Sequence, residues 1–313
     1  MDSNKIKVSY IIEKQELKLI NKGINVSNTF IQSSDLNRLG LFLTGFYEKF
    51  DHTRVQIIGE AEQTFLKTLD NSKKESRYKK LAELKIPCII YSRNIIPDEK
   101  AIEIFTKNNI PILQSSNSTT EVIAELTRYL KVKLAPTIVS HGVLVDVYGE
   151  GIFITGESGI GKSEAALELI KRGHRLVADD AVVISKVSDV TLLGSSTDVT
   201  RGFIEVRGIG IIDVIRCYGT ESVLEKQNIN LIINLVEWNE KTQYDRLGEE
   251  IKEKEILGNK VDYYEIPIRP GRNIAIIVES AAVNHRSRKM GFNPIEKLEK
   301  RMIKRKKENS NEE

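Results

Sequence analysis

Apolar residues in the first part of the chain occur in blocks that follow two different periods. Continuous apolar runs rich in β-branched residues at 55–59, 87–91 and 110–114 predict buried strands. Helical spacing at 60–69 and 76–84 predicts helices that alternate with those strands. This alternation is typical of an α/β unit with a mostly parallel sheet, and that is the fold we predict here.

The clearest helix start in this part lies at residue 118. Ser118 and Glu121 have the spacing of a capping box, in which each side chain accepts a hydrogen bond from the backbone of the other. Val122, Leu126 and Leu130 follow at helical intervals, which places them on one face. We therefore predict a helix that opens at this box.

Residues 131–136 combine lysines with a proline and predict a junction between domains, because the residue before a proline disfavours helix. The chain has 313 residues, enough for two hydrophobic cores. We predict an N-terminal α/β domain over 1–132, whose role its residues do not reveal, and a C-terminal domain over 133–313.

In the second part, a predicted β-hairpin leads into a glycine-rich loop. Apolar runs at 143–147 and 151–155 flank a short turn, and residues 164–172 after the loop favour a helix that Gly173 ends. The loop fits the phosphate-binding pattern G-x-x-x-x-G-K-[ST] at every fixed position. In this context backbone N–H groups and a helix N-terminus face a phosphate chain. The predicted nucleotide- or polyphosphate-binding residues are Gly156, Glu157, Ser158, Gly159, Ile160, Gly161, Lys162 and Ser163.

Carboxylates follow at three places. Strand 175–178 leads to Asp179 and Asp180, and acids at a strand end suit Mg²⁺ binding or general-base work beside a phosphate. Glu205 lies in a strand-like stretch, where it is either a second Mg²⁺ ligand or the solvent-facing member of an alternating strand. The apolar run 230–238 carries Glu237 near its end, and this acid is an alternative candidate for the acidic residue that phosphate-loop enzymes place on a second strand. The sequence leaves these alternatives open.

Two later segments carry positive charge. Residues 263–273 cluster two arginines with two prolines and a glycine, which suits either a phosphate clamp or an exposed turn. Residues 273–282 are apolar, strand-like at first and then helical. The tail from residue 293 is helical in pattern and basic, which is typical of a solvated helix and also suits docking of an acidic partner.

Composition narrows the class of protein. Hydrophobic residues make up 40% and charged residues 29% of the chain, as in an ordinary globular protein. A formal net charge of +3 does not favour a nucleic-acid partner. No apolar run reaches the length of a membrane span and the N-terminus lacks a signal-peptide core, so we expect no membrane partner and a cytoplasmic protein. The two cysteines and four histidines show no metal spacing.

Several stretches together resemble one family, HPr kinase/phosphorylase. The resemblance covers the second half closely and the first half more loosely. Five ordered motifs are far more specific than the phosphate loop alone. The matching stretches are 140–149, 157–164, 172–180, 204–214 and 268–273.

This resemblance implies a bifunctional enzyme. Members phosphorylate a serine of HPr, a small carrier protein of the sugar phosphotransferase system, with ATP or pyrophosphate as donor. They also remove that phosphate by phosphorolysis, in which inorganic phosphate is the co-substrate and pyrophosphate is released. The resemblance further implies Mg²⁺, a homohexamer, a phosphate-loop kinase domain similar to phosphoenolpyruvate carboxykinase, and a role in carbon catabolite repression.

The resemblance also implies roles for residues on the donor side. Lys162 and the loop amides would hold the β-phosphate and the transferring group. Ser163 and Glu205 would hold Mg²⁺. Arg246 resembles a family arginine that acts on the phosphoryl group.

On the acceptor side, Asp180 resembles the family's base, and its neighbour Asp179 is the alternative one position away. His141 would sit near the phosphates and assist. A separate loop resembles the region tied to dephosphorylation: Pro267, Ile268, Arg269, Pro270, Gly271 and Arg272.

Two other functions share parts of this pattern. A phosphate-loop kinase of a small metabolite would need the same loop and acids but no protein-docking surface. A non-catalytic nucleotide-sensing regulator would use the loop only to switch conformation, and would have no use for the paired acids beyond metal binding.

Overall fold

The computed structural model describes residues 5–240, 242, 252–269 and 271–309. The chain divides into two compact units, Met1–Ala135 and Pro136–Glu313. The division falls inside the predicted junction at 131–136, slightly later than the predicted boundary at 132. Both units combine helices with strands, as the sequence predicts.

The first unit is built on a five-stranded sheet in the order β2-β7-β6-β5-β4, in which only β2 is antiparallel to its neighbour. A separate pair, β1 and β3, is antiparallel. The strands are Ile6–Lys7 (β1), Lys18–Leu19 (β2), Phe30–Ile31 (β3), Leu36–Arg38 (β4), Val55–Ile58 (β5), Ile89–Tyr91 (β6) and Ile112–Gln114 (β7). The helices are Val8–Lys14 (α1), Gly40–Thr44 (α2), Glu60–Thr68 (α3), Asn71–Glu83 (α4), Glu99–Lys107 (α5) and Thr119–Lys133 (α6).

Helices cover both faces of this sheet. Residues of α2, α3, α4 and α5 form one buried cluster with the sheet, and residues of α1 and α6 form the other. A strand covered on both faces gains by being apolar at every position, which is why these strands appear as continuous runs. Helix α4 begins at Asn71, earlier than predicted, because Asp70 caps it by accepting a hydrogen bond from the Lys73 N–H at 2.8 Å.

The second unit contains a six-stranded sheet in the order β11-β9-β10-β17-β19-β18 and a four-stranded sheet in the order β16-β13-β12-β8. A two-stranded hairpin, β14–β15, stands apart. The strands are Thr137–His141 (β8), Val143–Val147 (β9), Glu150–Gly156 (β10), Arg175–Ala178 (β11), Ala181–Ser188 (β12), Thr191–Ser195 (β13), Phe203–Val206 (β14), Gly210–Asp213 (β15), Lys226–Asn228 (β16), Leu231–Glu237 (β17), Lys252–Ile256 (β18) and Asn259–Ile268 (β19). The helices are Lys162–Lys171 (α7), Val214–Tyr218 (α8), Ile274–Lys289 (α9) and Pro294–Asn309 (α10).

Three parallel strands set the position of the glycine loop. Strand β10 pairs in parallel with β17, and β17 pairs in parallel with β19. The carboxyl ends of all three strands therefore meet at one edge of the sheet, where ligands of open α/β sheets usually bind. Helix α7 follows the loop and buries Ala166, Leu169 and Ile170 against this sheet. The predicted hairpin of β9 and β10 and the predicted strand β11 are both present.

The strand-like start predicted for 273–282 is wrong. Helix α9 begins at Ile274, and the Asn273 side chain caps it by accepting a hydrogen bond from the Ile276 N–H at 3.0 Å. Its buried positions Ala275, Val278 and Ala282 have helical spacing. Within the described ranges, none of the helices has the length and apolar character that crossing a bilayer requires.

The capping box of α6 gives a test of this unit. The Ser118 side chain accepts a hydrogen bond from the Glu121 N–H, and the Glu121 carboxylate accepts one from the Ser118 N–H at 2.8 Å. We expect Ser118→Ala to cost about 1 kcal/mol and to speed hydrogen exchange in the first turn of α6 by about five-fold. The exposed Ser116→Ala is the control. Equal exchange in both variants would contradict the role of the cap.

Candidate active site

The glycine loop joins the carboxyl end of β10 to the N-terminus of α7. Gly161 stands before the helix at φ +100°, a left-handed conformation that favours glycine. The Lys162 ammonium donates to the carbonyl oxygens of Gly156 at 2.9 Å and Glu157 at 2.8 Å. Ile160 faces inward and packs on the hydrophobic core. Both ends of the loop are thus fixed by regular structure, and the Lys162 side chain is held by hydrogen bonds to carbonyl groups of the loop itself.

Asp179 is the buried centre of the site. Its side chain follows β11 and is only 5% exposed. The Ser163 hydroxyl donates to Oδ1 at 2.9 Å, and the backbone N–H of Glu205 donates to Oδ2 at 2.9 Å. Burial raises the pKa of the Asp179 carboxyl, while these two hydrogen bonds act in the opposite direction. One carboxylate therefore connects the start of α7 to strand β14.

Asp180 points the other way. Its backbone is left-handed, with φ +63°, which is uncommon outside glycine, and it lies at the turn between β11 and β12. Its side chain is 77% exposed, and Oδ1 lies 3.6 Å from Nδ1 of His141, which is itself 88% exposed. The register of β8 and β12 pairs His141 with Ala181, so the two strands hold this histidine beside Asp180. The Asp180 carboxylate is therefore open to an approaching hydroxyl group, whereas little of Asp179 is exposed.

A cavity of about 150 Å³ lies between these elements. It brings together the loop residues Ser158, Gly159, Gly161, Lys162 and Ser163 with both aspartates, so these residues are neighbours in space. Its remaining lining residues are Val143, Glu164, Glu205 and Arg207.

Arg207 is a site residue that the sequence analysis did not single out. It lies two residues after Glu205, at the end of the β14 strand, and its guanidinium covers the loop at Gly159. A Cβ added at Gly159 would lie 2.6 Å from Nη1 of Arg207. A lone arginine before a glycine is a weak signal in sequence, and only the hairpin fold brings it to the phosphate loop. It adds a second positive charge to the cavity.

The oxygen donors around the cavity suit Mg²⁺. Ser163 offers a hydroxyl, and Asp179 and Glu205 offer carboxylates, which are the hard ligands that Mg²⁺ takes alongside phosphate oxygens and water. A buried carboxylate whose pKa is raised by burial gains from a nearby cation. The side chains present therefore fit this ion.

The described residues of the predicted dephosphorylation loop, 267–269, 271 and 272, lie outside the cavity lining. Pro267 and Ile268 end β19, and Arg269 stacks on Trp238, with its guanidinium carbon 3.6 Å from the ring centroid. Arg272 donates to the carbonyl of Pro267 at 2.8 Å, and Gly271 completes the turn at φ +87°. Because β19 is parallel to β17, this loop follows the same sheet edge as the glycine loop.

Other predicted residues stand apart from the cavity or lie outside the described residues. Glu237, the rival acid, ends β17 and is exposed, and it does not line the cavity. Arg246 and Pro270 lie outside the described residues.

Two family profiles match the sequence of this chain. The sequence profile described as HPr Serine kinase N terminus matches residues 6–130, and the profile described as HPr Serine kinase C-terminal domain matches residues 132–302. The chain belongs to the HPr kinase/phosphorylase family. Its two profiles meet between residues 130 and 132, close to the division of the two units.

Relatives of similar length carry the family name. The HPr kinase/phosphorylase of Lachnoclostridium phytofermentans is 52% identical over 297 residues, which cover 95% of this chain and 96% of the relative. That of a Thermoanaerobacter species is 48% identical over 301 residues, covering 96% and 98%. A solved structure of the Hpr(Ser) kinase/phosphatase from Coxiella burnetii is 35% identical, covers 51% of this chain and 98% of its own, and has a TM-score of 0.47. The chain is accordingly, by its full-length relatives, an enzyme of the kinase/phosphorylase class.

The contact between Gly159 and Arg207 gives a test of the phosphate cradle. We expect Gly159→Ala to weaken binding of magnesium pyrophosphate by about ten-fold, because φ is +86° and the new methyl group would displace Arg207. Titration calorimetry would measure this affinity. Gly173→Ala is the matched control, since φ is +93° there but nothing lies within 4 Å of the added Cβ. Equal affinity in the two variants would contradict the placement of the cradle.

Proposed function

We propose that this chain transfers phosphate from ATP or pyrophosphate to a serine of HPr and, in reverse, removes it with inorganic phosphate to give pyrophosphate. The observation that carries the proposal is the division between two adjacent acids. Asp179 is buried and bonded to the phosphate loop, whereas Asp180 is exposed beside His141. One carboxylate is suited to organise the donor, and the other is suited to meet the acceptor hydroxyl.

On the donor side, the loop amides and Lys162 would bind the β-phosphate and the transferring group. Lys162 would exchange its present backbone carbonyl partners for phosphate oxygens, which are the stronger acceptors. Arg207 would add charge from the opposite wall of the cavity. Ser163 and Glu205 would hold Mg²⁺, together with Asp179, and bound Mg²⁺ neutralises charge on the phosphates. Phosphoryl transfer depends mainly on such positioning and neutralisation.

On the acceptor side, Asp180 would accept the proton of the serine hydroxyl as the serine oxygen bonds to phosphorus. The bond from that phosphorus to the donor's bridging oxygen breaks, and ADP or inorganic phosphate leaves. In reverse, an oxygen of inorganic phosphate bonds to the same phosphorus, the bond to serine breaks, and Asp180 returns the proton to the serine oxygen. His141 would assist at this place, since its ring nitrogen lies 3.6 Å from the Asp180 carboxylate. The same group serves both directions by microscopic reversibility.

The family resemblance extends the proposal beyond the site. We expect a cytoplasmic homohexamer whose C-terminal domain is a phosphate-loop kinase similar to phosphoenolpyruvate carboxykinase, and whose output feeds carbon catabolite repression. The role of the N-terminal domain, residues 1–132, is left unassigned.

The most direct test is to incubate the protein with ATP, Mg²⁺ and purified HPr, and to detect phosphoserine on HPr by mass. Absence of the adduct with competent HPr would favour a nucleotide-sensing regulator.

Substitution of the two acids separates their roles. We expect Asp180→Asn to lower both kinase and phosphorolysis rates by at least about 100-fold, because the amide accepts no proton, while affinity for magnesium ATP is retained. Asp179→Asn is the matched variant and should weaken magnesium ATP binding, because it disturbs the contacts to Ser163 and Glu205. Near-normal rates in either direction for Asp180→Asn would show that Asp180 is not the base.

The arginine loop after β19 should affect the two directions unequally. We expect Arg272→Ala to reduce phosphorolysis more than kinase activity, because this loop resembles the family's dephosphorylation region and the substitution removes both a positive charge and the hydrogen bond that closes the loop on Pro267. Paired assays of both directions on one preparation would measure the ratio. Arg216→Ala is the control, since Arg216 is exposed and its guanidinium pairs with Asp213, the cap residue that precedes α8. An equal loss in both directions would reject this role for Arg272.

A further inference from the structure

We propose that exposed apolar side chains around Asp180 form the docking surface for the protein that carries the acceptor serine. This surface, the apolar rim, consists of Val139, Phe203, Ile209 and Ile211. The inference rests on the proposed function and extends it to the partner's binding surface. The molecule that covers this surface is a folded protein that presents its serine among apolar side chains.

Strand alternation places three of the four rim residues on the same faces as the site residues, and Ile209 lies in the turn between β14 and β15. Val139 is 64% exposed and lies two positions before His141 on β8, so both side chains project from one face. Phe203 is 41% exposed and lies two positions before Glu205 on β14. Ile211 is 75% exposed and is paired directly with Glu205 across the hairpin. The rim is therefore continuous with the candidate active site on two sides.

The opposite face of the β14–β15 hairpin is buried in the hydrophobic core. Ile204 is 1% exposed and Val206 is 5% exposed, and both belong to the hydrophobic core. The hairpin thus has one buried apolar face and one exposed face that carries Glu205 together with large apolar residues. An exposed strand face of this kind is usually polar, because apolar side chains gain nothing from water. Adjacent apolar residues on such a face indicate a surface that another molecule covers.

The exposure of the acceptor side indicates what that molecule is. The side chains of Asp180 and His141 are 77% and 88% exposed, so the described residues of the chain do not enclose an acceptor there. Enzymes that act on small molecules usually bury most of the ligand in a cleft. A protein that brings a hydroxyl within hydrogen-bond reach of Asp180 necessarily covers the surface around it, since stable protein interfaces bury about 800 Å² on each partner.

A second large surface feature of this unit, a groove between α9 and α10, lies too far from Asp180 to surround the acceptor serine. A basic groove of about 1020 Å³ between α9 and α10 is lined in part by Tyr148, Lys297, Lys300 and Arg301. Tyr148 stands at the turn before β10, whereas the glycine loop follows the other end of that strand. A seven-residue strand separates the two, a distance of about 20 Å. Among the described residues of one chain, the rim is an apolar surface that adjoins the acceptor side.

Kinetics with a double variant test the proposal. We expect Val139→Ser combined with Ile211→Ser to raise KM for HPr by at least about ten-fold, because both truncations remove apolar contacts from the interface. The rate at saturating HPr and the affinity for magnesium pyrophosphate should be unchanged. Val139→Ile combined with Ile211→Leu should retain the KM of the wild type. Val190→Ser is the control, since Val190 is 91% exposed at the far end of β12.

Three measurements decide the outcome. If the double variant keeps the wild-type KM and binds HPr normally in calorimetry, the rim is not the docking surface. If the double variant sediments as a smaller assembly than the wild type, the rim is an interface between copies of this chain, and the proposal is likewise overturned. If the wild type itself gives no phosphoserine on HPr, the proposed function is wrong. That result needs no variant, so it is distinguishable from failure of the docking surface.

Discussion

The buried carboxylate of Asp179 is the contact on which the candidate site depends. Removing a charge from water is costly unless hydrogen bonds or a cation compensate it. Here a hydroxyl from α7 and a backbone N–H from β14 supply the compensation, and burial still raises the pKa of the carboxyl. Because the two donors come from separate elements, Asp179 holds the glycine loop and the hairpin with Glu205 at a fixed separation. A cation between Ser163 and Glu205 would stabilise the same arrangement further.

The left-handed backbone of Asp180 follows from this constraint. Side chains of consecutive residues in an extended strand already point to opposite faces, but a strand that continued straight would carry Asp180 away from the cavity. The turn at φ +63° ends β11 and starts β12, and it keeps Asp180 in the cavity lining while leaving it exposed. Such a conformation costs an L-residue roughly 1–2 kcal/mol. Two adjacent residues thereby meet two environments, one dry and one open.

Local patterns predicted much of the fold and the phosphate cradle. The capping box at Ser118, the hairpin before the loop and the helix after it are all encoded within a few neighbouring residues, so the sequence alone was sufficient. The start of α9 was mistaken because a run such as Ile274–Ile277 suits a strand or a helix equally, and only the Asn273 cap distinguishes them. Arg207 was missed because its contact with Gly159 joins segments far apart in the chain. The division of roles between Asp179 and Asp180 was likewise open, since it depends on tertiary partners and on one backbone angle.

The openness of the acceptor side has a consequence for specificity. Electrostatic stabilisation of a transferring phosphate is stronger when water is excluded. In the proposed reaction the cavity would hold the donor between the loop, Arg207 and the acids, but Asp180 and His141 face solvent. A partner that covers apolar residues on the same strand faces would expel that water as it delivers its serine. In such an arrangement binding and catalysis are coupled, because a free serine or a small alcohol could reach Asp180 but would leave the site wet. The surface around the base, rather than the base itself, would then select the substrate.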